Sequence, residues 1–176
     1  MSTNNKGWQR LFIFCFGLFA GTAFCMKWME SDFIYNEKLF TIIGLEVTYP
    51  KEKVAAILGG LDGTVRRSLE YHLYFDFAFM VGVYPGILAL CMMARNKSAN
   101  RKMRLFLSVL AIGQFIAFGC DIAENWFLLQ WLELPMIGSE FGVFHIIVYI
   151  KWILALSGAL IAIPLALRRG QKKKSP

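Results

Sequence analysis

Charge is scarce in this chain. Asp, Glu, Lys and Arg make up 18% of its 176 residues, below the quarter or so usual for a water-soluble domain. The sequence has no phosphate-cradling glycine loop, no nucleophile elbow and no HExxH pattern, so three large groups of enzymes find no footing in it. Its four cysteines, Cys15, Cys25, Cys91 and Cys120, form neither a CxxC pair nor a metal-ligand spacing. All four fall in apolar runs and read as buried thiols, which argues against a disulfide-exchange membrane enzyme. Histidine occurs only at His72 and His145, and haem ligation would require those two imidazoles to oppose each other across a cavity. No metal and no cofactor is expected.

What the chain has instead is hydrocarbon. Apolar residues reach 57% and aromatic residues 15%, with a mean hydropathy of +0.50. A membrane span needs about 20 mostly apolar residues to cross a hydrocarbon core about 30 Å thick. Four stretches meet that requirement, at about 11–29, 71–94, 105–131 and 143–167. The expected fold class is therefore all-α, a polytopic four-helix transmembrane bundle forming one membrane domain over residues 1–176.

Span one also fits a secretory signal peptide, with a short basic start and the small residues Ala20, Gly21, Thr22 and Ala23 after LFIFCFGLF. Three observations favour an intact helix. The apolar run continues through Phe24 to Met26, and cleavage would leave an odd three-span protein. Trp8, Trp28, Trp126 and Trp131 fall at span ends, where amphipathic rings anchor helices in the interface. Gly17 with Gly21, and Gly113 with Ala117, have the small-xxx-small spacing of close helix packing, and Pro85 between Tyr84 and Gly86 should bend span two.

Positive residues resist export, so their distribution sets the orientation. Lys6 and Arg10 precede span one; Arg95, Lys97, Arg101, Lys102 and Arg104 fill the second connection; Arg168, Arg169, Lys172, Lys173 and Lys174 follow span four. The third connection has no basic residue and carries Glu133 and Glu140. None of the 12 acidic residues falls in a segment placed on the basic side. Both termini, including the basic tail 168–176, are therefore expected in the cytoplasm, and a bacterial inner (cytoplasmic) membrane is the expected location. The net charge of +7 then reflects topology and attraction to anionic membrane lipids, with no nucleic-acid partner.

The connection between spans one and two, about residues 30–70, is long for a turn and is expected as an extracytoplasmic loop of roughly 40 residues. LFTIIGLEV within it reads as a short strand or an interfacial segment. Pro50 followed by KEKVAAIL has the first-turn proline and apolar spacing of a short helix, broken by the glycines after it. Thr64 is placed to cap the next helix, which should extend outward from span two to about Val65.

Ionisable groups inside a membrane are costly unless paired or hydrated, and they are functional suspects by default. Span two carries His72 and Asp76; span three carries Gln114, Asp121, Glu124 and Asn125; span four carries His145, Tyr149 and Lys151. At about 1.5 Å per residue, Asp76, Glu124 and Lys151 fall within about two helical turns of one another in depth. Gln114, Asp121 and Asn125 share one face of span three, with Glu124 on its flank. His145 and Lys151 are about 120° apart in helical phase and cannot face the same neighbour.

Asp76, Asp121 and Glu124 are accordingly the candidate acid/base groups, with His72, Gln114, Asn125, His145, Tyr149 and Lys151 as candidate ligand-binding groups. Three carboxyls against one lysine leave the cluster short of positive charge, which a proton, a histidine, Arg66 or Arg67, or a cationic ligand must supply. A small lipidic or amine ligand is the leading functional expectation, whether bound or turned over. The alternative is a non-catalytic assembly protein holding a partner. A proton- or ion-coupled carrier is disfavoured, because the inner halves of spans three and four offer only Ser108 and Ser157 as polar groups.

The orientation is directly testable. In a cysteine-free background, an impermeant maleimide should label Ser139→Cys in intact cells and Ser98→Cys only after permeabilisation; the reverse pattern would invert the topology.

Overall fold

The computed structural model describes residues 3–168; Arg169, Lys172, Lys173 and Lys174 of the basic tail lie outside the described residues. The described chain is overwhelmingly helical. Four helices are long and apolar enough to cross a bilayer: α1 (Thr3–Met29), α3 (Gly63–Lys97), α4 (Arg101–Glu133) and α5 (Glu140–Leu167). Such a set of helices belongs to an integral membrane protein. Their outward faces agree with this assignment, since Phe14, Ile112, Phe115 and Leu160 are all more than 60% exposed, a surface suited to acyl chains rather than water.

The segment joining α1 to α3 departs from expectation. Residues 30–70 are not one loop. A single 3₁₀ turn, Glu30–Asp32, follows α1; then come the strands β1 (Ile34–Tyr35) and β2 (Lys38–Leu39), a π-helical turn at Gly44–Thr48, and α2 (Lys51–Gly60). The strands pair antiparallel, Ile34 with Leu39 and Tyr35 with Lys38. Asn36 and Glu37 between them both have positive φ, 47° and 62°, as a tight two-residue hairpin turn requires. Most of LFTIIGLEV is therefore helical turn rather than strand. The helix expected at KEKVAAIL forms, with Pro50 as its N-cap in extended conformation (φ −67°, ψ 157°) instead of inside the first turn. Gly59 and Gly60 belong to the helix, which ends at Leu61.

Asp62, not Thr64, caps α3, accepting from the Thr64 and Val65 backbone N–H groups at 2.8 and 3.0 Å. A carboxylate reaches two amides and complements the helix dipole, which explains why it displaces the hydroxyl. Asn100 caps α4 in the same manner through the Lys102 N–H at 2.9 Å. At the opposite end of α4 the Arg66 guanidinium donates to the Leu132 and Glu133 carbonyls, groups that a helix terminus leaves without internal partners. Arg66 therefore turns to the end of α4 rather than inward to the charged cluster.

The bundle centres on α3, which packs against α1, α4 and α5. Two large apolar layers fill its ends, and a smaller cluster of Met80, Tyr84 and Ala117 completes the core. At the end covered by the connecting segment, Phe33, Phe40, Leu45, Val54, Ile57 and Leu58 of that segment join residues of α3, α4 and α5, so the segment is part of the core. Toward the other end Ile87, Cys91, Leu107, Leu110, Ala111 and Ala162 form a second layer. Cys15 and Cys91 are buried, whereas Cys25 is exposed and Cys120 half-buried on the outer helix surface, so only two of the four thiols are interior as expected.

The close approach of α1 and α3 also differs from the spacing argument. A β-carbon at Gly17 or Gly21 would meet nothing within 4 Å, so this pair faces outward. The tight contact is at Gly82 of α3, where a β-carbon would stand 2.6 Å from Phe19 N and 3.0 Å from Cys15 O. Only glycine allows backbone to lie so near backbone. Gly113 does pack closely, against Leu154 of α5. Gly82→Leu should therefore cost about 1–3 kcal/mol through forced separation of α1 from α3. Gly17→Ala should cost nothing and raise stability slightly, by up to about 1 kcal/mol. Unfolding of both variants in detergent provides the comparison.

Candidate functional site

Between the two apolar layers lies a cluster of charge. Asp121 and Glu124 are three apart on α4 and share a face; Asn125 completes the turn, and Gln114 continues the stripe two turns away. All four are interior, with 1–3% exposure for Gln114, Asp121 and Asn125 and none for Glu124. The flank position assigned to Glu124 by helical phase is thus as deep as the rest of the stripe.

Lys151 of α5 meets this face. Its Nζ lies 2.6 Å from Glu124 Oε2, 3.0 Å from Asp121 Oδ1 and 3.5 Å from Glu46 Oε2. The other Asp121 oxygen accepts a 2.7 Å hydrogen bond from the Tyr84 hydroxyl of α3. Alongside, Asn125 Nδ2 donates to Asp76 Oδ2 at 2.7 Å and to the Leu73 carbonyl at 3.4 Å, tying α4 to α3. Glu124 Oε1 has no hydrogen-bond partner among the described residues. Asp76 is half-buried, unlike the other three carboxyls.

Of the residues singled out from sequence, Asp121, Glu124 and Lys151 touch one another, and Asp76 with Asn125 adjoins them. The remainder do not join. Gln114 spends its amide on the Leu110 and Leu154 carbonyls, both at 3.1 Å, and ties α4 to α5. His145 packs at a tilt against Phe141 with ring centroids 4.4 Å apart, and Tyr149 is half-exposed beside it, so both lie off the cluster. His72 is buried under Phe33, with its Nε2 3.9 Å from Glu30 Oε1.

Two participants escaped the sequence reading, as did Glu30, the neighbour of His72. Glu46 comes from the connecting segment, where it is the only charged residue in the apolar stretch from Leu39 to Tyr49; that isolation is the signal that marks it. Tyr84 is separated from Asp76 by about two helical turns on α3, a recurrence that places them near one face. Glu30 has no comparable mark.

The electrostatics are lopsided. Glu46, Asp76, Asp121 and Glu124 together could hold four negative charges around one ammonium. Desolvating an ion costs several kcal/mol even after relaxation, so a buried excess of this size calls for bound protons or a cationic guest. One carboxyl bearing a proton beside another that lacks it is also the arrangement used for general acid–base catalysis. Among the described residues no three His, Cys, Asp or Glu side chains are disposed to hold a metal ion. Comparison of the chain with protein-family models, with curated proteins and with solved structures finds no match.

The pairing has a measurable consequence for stability. Lys151→Met should cost about 3–5 kcal/mol, because it strands buried carboxylates without a counter-charge. Glu46→Gln, which removes the longest of the three contacts and one surplus negative charge, should be neutral or stabilising. Denaturant unfolding in detergent micelles reads both, and equal losses for the two would contradict the charge imbalance.

Proposed function

We propose that this protein binds a small lipidic or amine-bearing ligand at the buried acid/base cluster and exchanges protons with it. The site lies toward the extracytoplasmic side of a bacterial inner membrane, within a single membrane domain. The observation that carries this reading is the surplus of carboxyls over cations in the contact between Lys151, Asp121 and Glu124. A protonated amine supplies the missing positive charge.

Asp76 is the group best suited to meet the ligand. It is the most accessible of the four carboxyls. No ion pair holds it to Lys151, and Asn125 orients it by a hydrogen bond to Oδ2. Asp121 and Glu124, held by Lys151, then act as the adjacent charge that sets how readily Asp76 gives or takes a proton. The second apolar layer, at the far end, offers no polar path onward, which favours a site open at one end over a carrier.

Native mass spectrometry of the full chain extracted with its own lipids tests the reading. A stoichiometric small molecule should be retained by the wild type and lost from Asp76→Asn and Glu124→Gln, with both variants still folded. If the wild type holds no small molecule and instead brings down a protein in fixed ratio, the assembly role replaces this one.

A further inference from the structure

A buried site that exchanges protons needs a route by which they arrive. We infer that Glu30 and His72 form that route, passing protons between the aqueous phase at the end covered by the connecting segment and Asp76. The inference rests on the acid/base reading of the cluster given above.

Its starting point is His72 itself. The side chain is 1% exposed, and neither Nδ1 nor Nε2 has a hydrogen-bond partner among the described residues. A buried imidazole without partners forfeits its solvation, and a purely structural role would be filled better by an apolar ring. The surroundings are apolar on the remaining sides, with Phe33 edge-on at 5.3 Å between ring centroids and Leu69 and Leu73 on the same helix, both buried.

The charged groups around it form a sequence in depth. Lys27, at the end of α1, has a side chain 79% exposed and binds Glu30 Oε2 at 2.6 Å. Glu30, in the 3₁₀ turn, is 16% exposed at its side chain and turns its other oxygen, Oε1, to His72 Nε2 at 3.9 Å. Asp76 lies one helical turn further into the bundle on α3, at the i+4 position that puts β-carbons about 5–6 Å apart. No hydrogen bond or ion pair reaches His72 from α4 or α5 among the described residues. The order from solvent is thus Glu30, His72 and Asp76: the first gap is the 3.9 Å between Glu30 and His72, and the second is one helical turn along α3, which the route requires a side-chain rotation or a bridging water to span.

Imidazole suits the middle position because it takes a proton on one ring nitrogen and releases one from the other. Uptake begins with a proton from water on the Glu30 carboxylate. It passes to His72 Nε2, forming the imidazolium, and the Nδ1 proton then leaves toward Asp76, returning the ring to neutrality. Exchange of the ring proton from Nε2 to Nδ1 through water restores the starting tautomer, and release runs the same steps backwards. His72 and Glu30 act through Asp76 and are positioning and transfer groups rather than catalytic residues.

A pH jump on the full chain in lipid nanodiscs, followed by time-resolved infrared absorption of protonated carboxyls, tests the route. Asp76→Asn identifies the Asp76 band. The wild type should show a carboxyl signal whose final amplitude is retained in His72→Phe and Glu30→Gln. The rate of the signal should fall about a hundredfold in His72→Phe, the lower end of what a single positioned proton-transfer group contributes. External imidazole should restore the rate in His72→Ala. Wild-type rates in His72→Phe overturn the route while leaving the acid/base site standing. Should His72→Phe fail to fold, Glu30→Gln at the partly exposed rim decides alone, and an unchanged rate there is equally fatal. A wild type with no exchanging carboxyl removes the route together with the reading beneath it.

Discussion

One ammonium group organises the interior of this bundle. Lys151 of α5 contacts Asp121 and Glu124 of α4 and Glu46 of the connecting segment, so three elements remote in sequence converge on a single atom. In a low-dielectric interior such contacts are all-or-nothing, because a buried charge that loses its partner has no water to fall back on. That constraint fixes the rotation of α5 against α4 through the two shorter contacts, and the longer one reaches Glu46 in the π-helical turn at Gly44–Thr48. The further bonds from Tyr84 to Asp121 and from Asn125 to Asp76 bring α3 into the same register.

A second consequence concerns the connecting segment. With Glu46 drawn to Lys151 and Phe33, Phe40, Leu45, Val54, Ile57 and Leu58 packed against α3, α4 and α5, this segment closes one end of the bundle. The far end is filled by small and aliphatic side chains from α3, α4 and α5. The charged layer is sandwiched between them, nearer the end where the segment lies. Any guest or proton reaching it meets less hydrocarbon from that side, and the contact most easily broken is the 3.5 Å one to Glu46. The asymmetry of packing is therefore also an asymmetry of access.

Much of this was legible in the residues. The four spans could be read because lipid imposes a requirement on each segment separately: enough apolar length to cross. The polar stripe of Gln114, Asp121 and Asn125 could be read because helical phase is a local property, and Lys151 could be placed opposite it on grounds of depth. The same local reasoning failed where the neighbour mattered. The outward-facing Gly17 and Gly21 have the spacing of a packing motif, yet Gly82 makes the contact, since only the mutual position of two helices decides which small residue is pressed. Asp62 outcompeted Thr64 at the start of α3 because its carboxylate reaches two amides.

By itself, then, the sequence determined the number of the membrane-length helices and the presence of ionisable groups on them. Only the tertiary structure decided which of those groups meet. It brought in Glu46 and Tyr84, sent His72 to Glu30, left His145 against Phe141 with Tyr149 beside it, and turned Arg66 to the end of α4. The physical reason is one of range. Hydropathy and periodicity act along a helix within a few residues, whereas an ion pair depends on the relative rotation of whole helices, which the sum of all their contacts sets.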